Sequence, residues 1–293
     1  PDYEEKLQWT CDNINLGKDQ LWEVLLEFPS IQFGVEVAFH SLVSETPFLL
    51  FPSDFTNGTK SILINGLVWM GEEAFMKQQI EEKLADGFTC IKLKIGAIDF
   101  DKELQLLRFI REHFTPEQVE IRVDSNGAFD SDLALDKLIQ LTEFKLHSIE
   151  QPIQKNHTDR MAELCKTTPF PIALDEELIG VFTLAEKEQL LEKIKPQYII
   201  LKPSFVGGFR GTQEWISLAE KHKIGWWITS ALESNIGLNA IAQWTFLQHN
   251  LMPQGLGTGA LYINNFDCPL EVSQGQLWYK KELDWTFDFA FLQ

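Results

Sequence analysis

Six polar residues of this sequence share one phase: Lys94, Asp124, Glu150, Asp175, Lys202 and Ser230. Each ends or closely follows a short apolar, β-branched run, and neighbours in the series are roughly 25 to 30 residues apart, about one strand plus one helix. Singly, each has an ordinary explanation. An Asp after a strand, as in VDSNG, caps a turn, Glu150 before Gln-Pro and Asp175 before Glu-Glu suit solvated loops, and Lys202 before Pro suits a surface strand end. Together they would require several coincidences in one phase. If the strands close into a barrel, the six residues surround one mouth, where barrel enzymes place their chemistry.

Three carboxylates converging without a cation would repel one another and raise their own pKa values. A hard divalent cation with oxygen ligands resolves this. Asp124, Glu150 and Asp175 are the candidate ligands, with Mg²⁺ the first choice and Mn²⁺ the alternative, because neither His nor Cys stands at these strand ends to favour zinc. Three carboxylates leave coordination room for a bidentate substrate carboxylate. Lys94 then has a role. A free lysine, with a pKa near about 10.4, is a poor base, but burial beside Lys92 and a divalent cation lowers that value. A neutral amine there removes a proton α to a carboxylate, and the cation stabilises the resulting enediolate. In CIKLKIG, residues 90–96, this turns Lys92 and Lys94 toward a barrel interior and Ile91, Leu93 and Ile95 toward helices.

The elements that must position these groups follow from about residue 60, where β-branched runs alternate with amphipathic stretches. Strands are expected at 61–66, 90–95, 119–124, 146–150, 170–175, 198–202 and 225–230, with a weaker eighth around PQGLGTG (253–259). Helices are expected around Leu104–Phe114, Leu135–Leu141, 161–165, 184–194, 211–222 and 239–248. The fold class is therefore α/β, a TIM-type barrel of (β/α)7β form over residues 59–260. Residues 1–58, with helical DQLWEVLLEF and IQFGVEVAFHSL, are expected to be part of an α+β capping domain, and 261–293 a segment returning to it. The opening on Pro-Asp without Met reads as the middle of a longer chain, whose first capping strands are missing.

The chain has 293 residues and a formal net charge of −18. That charge argues against nucleic acid and against an anionic membrane surface, and no apolar run approaches the roughly 20 residues of a membrane span. A small anionic carboxylate substrate stays open, because a cation and local lysines can reverse the field inside a pocket. The 4 cysteines form no CxxC or Cys/His metal spacing, and no secretory signal is visible, so a reducing, cytoplasmic setting is expected. Apolar surface on the barrel helices would suit a homo-oligomer. None of the 6 histidines stands at the C-terminal end of an expected strand. GGFRG (207–211) lacks the lysine and threonine of a P-loop and reads as a turn serving substrate closure. Ser230 is expected to face the ligand, with Gly255, Gly257 and Gly259 letting backbone amides approach it.

These residues resemble the enolase superfamily, whose use of a Lys or His base with Mg²⁺ is a standing example of such chemistry. The likeness runs from about residue 18 to about residue 260: KLK at 92–94 resembles its KxK motif, while DSN (124–126), IEQP (149–152) and LDEE (174–177) resemble its three metal-ligand strand ends. Lys202 in YIILKPSFVGG matches the opposing lysine, which excludes the subgroup with a His-Asp dyad. Within the superfamily, LKPSFVGG, SALESNIGL and GLGTG are most similar to the o-succinylbenzoate synthase branch of menaquinone biosynthesis. That resemblance implies syn dehydration of 2-succinyl-6-hydroxy-2,4-cyclohexadiene-1-carboxylate (SHCHC) to 2-succinylbenzoate. Lys94 would be the base and then the acid, Lys202 the cation over the other face, and Lys92 a hydrogen-bonding partner of the carboxylate. Ser230, Leu232 and Gly257 would contact substrate, with Asn126 and Glu176 behind the metal ligands. The same lysines and acids serve N-acylamino acid racemases and dipeptide epimerases, which stay as alternatives, although PQGLGTG lacks the acidic motif of the epimerases. A third alternative is a non-catalytic barrel used for binding.

Overall fold

The computed structural model describes residues 2–286. Three helices come first: α1 (Tyr3–Asp12), α2 (Lys18–Val24) and α3 (Pro29–Val43). From residue 66 the chain alternates strand and helix: β2 (Gly66–Val68), α4 (Glu73–Ala85), β3 (Cys90–Lys94), α5 (Phe100–His113), β4 (Glu120–Asp124), α6 (Ala134–Leu141), β5 (Ser148–Glu150), α7 (Thr158–Thr167), β6 (Ile172–Leu174), α8 (Leu184–Ile194), β7 (Tyr198–Leu201), α9 (Gly208–His222), β8 (Gly225–Ile228) and α10 (Asn235–Leu247). The strands β2 to β8 form one parallel sheet in chain order. None of the helices described is long and apolar enough to cross a membrane.

Two expectations change here. SILING is not one barrel strand: β1 (Ile62–Leu63) pairs antiparallel with β10 (Gln276–Tyr279), which pairs with β9 (Leu270–Ser273) in a separate three-stranded sheet. The barrel strand proper starts at Gly66. The eighth strand is reduced to two residues, Gln254 and Gly255, bridged parallel to Ile64 on one side and Thr229 on the other. Backbone bonds complete that seam: Gln254 N donates to Leu63 O at 2.8 Å, and Gly255 N donates to Ile228 O at 2.8 Å. Thus the two edges of the sheet meet, as an eighth strand would require. Of the C-terminal segment expected to return to a cap, residues 287–293 lie outside the described residues.

Strand alternation builds two cores. Ile91, Leu93, Ile121, Val123 and Ile149 point outward and pack with Leu104, Leu107 and Ile110 of α5 and Leu138 and Leu141 of α6. Inside the ring, Ala173, Ile200 and Trp227 form a second cluster with Tyr198 and Met252. Arg122 reaches into this cluster over Trp227, and above it the inward positions are polar.

Candidate active site

Lys94 ends β3, Asp124 ends β4 and Glu150 ends β5, and the parallel register sets Lys94 beside Asp124 and Asp124 beside Glu150. Asp175 follows β6, Lys202 follows β7, and Ser230 lies two residues beyond β8. All three carboxylates are buried, Asp124 fully. The Lys94 ammonium donates to Asp124 Oδ2 at 2.5 Å and to Asn126 Oδ1 at 2.7 Å. Lys92 shares Asp124 Oδ2 at 2.8 Å and forms an ion pair with Glu150 Oε2, while Lys202 pairs with Asp175 Oδ2. Glu150 Oε2 meets the Lys92 ammonium, while among the described residues Oε1 has no hydrogen-bond partner.

This crowding moves the proton equilibria. Burial alone would raise the Asp124 pKa, but Lys92 and then Lys94 outweigh it and hold the carboxyl well below its usual range. Burial pushes Glu150 upward, and the neighbouring Asp124 charge adds to that rise against the pull of Lys92. Burial would lower the Lys92 and Lys202 ammonium groups. Asp124 and Glu150 reverse this for Lys92, and Asp175 and Glu150 reverse it for Lys202, so both stay above the ordinary lysine value. Three lysines therefore supply the countercharge for three acids. The unpartnered Oε1 of buried Glu150 is the kind of group a hard cation satisfies, and the all-oxygen donor set suits Mg²⁺ or Mn²⁺.

The turns behind the acids hold them in place. Asn126, in left-handed backbone at φ 44°, donates its amide to Asp124 Oδ1 at 2.9 Å, and its side chain donates to Glu176 Oε1 at 2.8 Å. Burial, then the Asp175 charge, raises the Glu176 pKa. Gln151, also left-handed at φ 39°, was legible only as part of IEQP. Its Oε1 accepts from Asp175 N at 3.3 Å and Glu177 N at 3.4 Å, which ties the end of β5 to that of β6.

A cavity of about 270 Å³ opens over the lysines, lined by Lys92, Lys94 and Lys202, and by Ser230, Leu232 and Gly257 among the residues the sequence singled out. Gly255 lines it as well, whereas Gly259 does not. Sequence reasoning missed Asn65, Leu67, Trp69, Phe205 and Thr258, which supply much of the wall. Ser230 Oγ accepts from Leu232 N at 2.9 Å and from Thr258 Oγ1 at 2.8 Å, while Leu232 adopts φ 68°. Glu233 ties this loop to the one after β7: it accepts from Ala231 N at 3.0 and 2.9 Å and from Ser204 Oγ at 2.5 Å. The result is a small pocket with cations on one side and apolar wall on the other, suited to an anionic ring. Its proximal amines can take or give a proton.

Comparison with known proteins bears on that chemistry. The family described as Enolase C-terminal domain-like matches residues 75–281. The chain is 56% identical over 258 residues to an o-succinylbenzoate synthase from Desulfotalea psychrophila, covering 87% of this chain and 70% of that protein. The crystal structure of MenC from Desulfotalea psychrophila superposes with a TM-score of 0.81 at 55% identity, covering 86% of this chain and 69% of that one. An L-amino acid-D/L-Glu epimerase from Francisella philomiragia is 24% identical, over 74% of this chain and 60% of the epimerase.

Proposed function

The chain belongs to the enolase superfamily, a family of metal-dependent enzymes, and we propose from that premise that it is a carbon–oxygen lyase of the o-succinylbenzoate synthase kind. The reaction is the dehydration of SHCHC to 2-succinylbenzoate, a step of menaquinone biosynthesis, in the cytoplasm. The observation that carries the reading is Lys94 and Lys202 lining one cavity above three buried carboxylates, in a chain 56% identical to that synthase.

Asp124, Glu150 and Asp175 would hold Mg²⁺, which when bound supplies positive charge for the substrate carboxylate. The chain's own residues do the rest. Lys94 Nζ, as the free amine, takes the proton α to the carboxylate. The C–OH bond then breaks, and the proton on Lys94 leaves with hydroxide as water, so the ring becomes aromatic without net change at the lysine. Lys202 stays an ammonium, as its elevated pKa favours, and offsets negative charge developing in the substrate. Lys92 orients Asp124 and Glu150 by its paired contacts. Leu67, Trp69, Phe205 and Leu232 give the ring an apolar wall and exclude water.

The test is the absorbance change on adding the chain to SHCHC with Mg²⁺, run beside the same mixture in EDTA. Metal-dependent product formation is expected. A second vessel holds an N-acylamino acid in D₂O. Faster α-proton exchange there than dehydration in the first would move the reading to the racemase branch.

A further inference from the structure

The loop carrying Lys202 and Phe205 into the cavity is fastened from behind by the N-terminal helices. From Lys202 the chain turns tightly: Phe205 N and Val206 N donate to Lys202 O at 2.7 and 3.1 Å, and Gly208 N donates to Pro203 O at 2.8 Å. The turn ends in two left-handed residues, Gly207 at φ 97° and Gly208 at φ 71°, where α9 begins. Glu36 of α3 is buried against this point. Its carboxylate accepts from Phe209 N and, at 3.2 Å, from Arg210 N. Gly208 has the positive φ that favours glycine, and a Cβ there would fall 2.1 Å from Glu36 Oε2 and displace the carboxylate. From α2, the Trp22 indole donates to Gly207 O at 3.1 Å, and Gln32 donates to Trp22 O at 2.8 Å.

An ionised carboxylate is a costly choice for such a place. Burial pushes Glu36 up to about 7, against its two amide donors and the more distant Lys18 and Arg210. What the charge supplies is direction: two charge-assisted bonds and the dipole of a 15-residue helix fix where α9 starts. We propose that Glu36 is a positioning residue for the active site, anchoring the N-terminus of α9 so that the Lys202–Gly208 turn presents Lys202 and Phe205 to the cavity. The inference rests on the assignment of Lys202 and Phe205 to the site described above.

The experiment compares the parent chain, Glu36→Gln and Glu23→Gln at about pH 8, measuring kcat and KM for SHCHC with Mg²⁺, melting temperature, and hydrogen exchange of residues 203–212. A folded-state pKa above the unfolded value means that ionised Glu36 costs stability as pH rises through about 7. Glu36→Gln sheds the charge but keeps only one acceptor, so it should melt within a few degrees of the parent, yet lose about tenfold in kcat with KM little changed, because a displaced reacting group costs rate and not ground-state binding. Exchange should quicken in 203–212 and not in β3. Glu23→Gln removes only the exposed partner of Arg210 and should match the parent. An unchanged kcat in Glu36→Gln, or a loss matched by lower melting and faster exchange throughout, overturns the proposal. If the parent itself turns over no SHCHC, the dehydratase reading fails instead, and unchanged exchange in 203–212 would still sink the anchor. Should Glu36→Gln not fold, Glu36→Asp, one methylene short of the amides, must show the same kcat loss and local exchange.

Discussion

Two layers of the same barrel interior, one residue pair apart on the strands, handle buried charge in opposite ways. On the floor, Arg122 is buried with Nε on Glu120 Oε1 at 2.7 Å, Nη1 on Pro253 O at 2.9 Å, and its guanidinium 4.2 Å over the Trp227 ring. Cys90 also donates to Glu120, at 3.3 Å, and His147 lies 4.8 Å from the Tyr198 ring. Two residues beyond Cys90 and Arg122, and three beyond His147, come Lys92, Asp124 and Glu150, where three acids meet three lysines and Glu150 Oε1 has no hydrogen-bond partner among the described residues. The floor is a plug whose charge is matched by an aromatic face and two fixed acceptors, with Arg122 Nη2 left unpaired among the described residues. At the mouth the charges balance, but Glu150 Oε1 accepts no hydrogen bond from the described residues, an opening for a cation, and the lysines lining the cavity can meet an anionic substrate. Function here comes from incomplete satisfaction, placed directly above a layer that is nearly complete.

The comparison is tested most severely at Lys94. Lys94→Ala should lower kcat for SHCHC by about 10³-fold or more while leaving the melting temperature within a few degrees, since the side chain lies at the mouth and supports no core. Next is the floor: Arg122→Met should cost about 3 kcal/mol in denaturant unfolding, through the lost stack on Trp227 and the orphaned Pro253 carbonyl, with kcat changed only a few-fold. A thousandfold loss of kcat in a stable Arg122→Met would erase the distinction between the layers.

Much of this division was legible in the sequence because strand alternation and the βα repeat are local. Lys94, Asp124, Glu150, Asp175 and Lys202 could be placed around one mouth by spacing alone, and the structure brings them there. What was not legible has physical reasons. The helix α4 escaped notice because it buries only Met76 and Ile80 and is charged around most of its surface. SILING has the pattern of one strand because nothing local signals that Ile62 and Gly66 serve different sheets. The eighth strand is two bridges long, too short for any period to show. Glu36 and Trp22 meet the β7–α9 turn across 173 and 185 residues, a contact that no window along the chain contains.

Metal dependence separates the layers by a smaller margin. If the mouth holds Mg²⁺, the ion at about a hundred times its Kd should stabilise the fold by about 2.7 kcal/mol, read as a rise in melting temperature that EDTA reverses. Glu150→Gln should abolish most of that rise, while Arg122→Met should keep it. Equal Mg²⁺ stabilisation of parent and Glu150→Gln would place the ion elsewhere.

The floor has its own signature in pH. Burial pulls His147 down to about 4; Glu120 opposes that shift and Arg122 adds to it. A folded pKa below the unfolded value of about 6.5 means that the unfolded chain binds the proton first, so this contribution is whole above that value and is lost as pH falls toward the folded pKa. The difference amounts to about 2 kcal/mol between about pH 7 and about pH 5. His147→Phe keeps a ring against Tyr198 and removes the titration, so unfolding free energy should fall less steeply on acidification than in the parent. Metal-free protein is the right sample, because the acids of the mouth then titrate alike in both chains and cancel in the comparison. Parallel curves would mean that the floor admits water and a proton to His147 in the folded state, and the contrast between a closed floor and an open mouth would have to be redrawn.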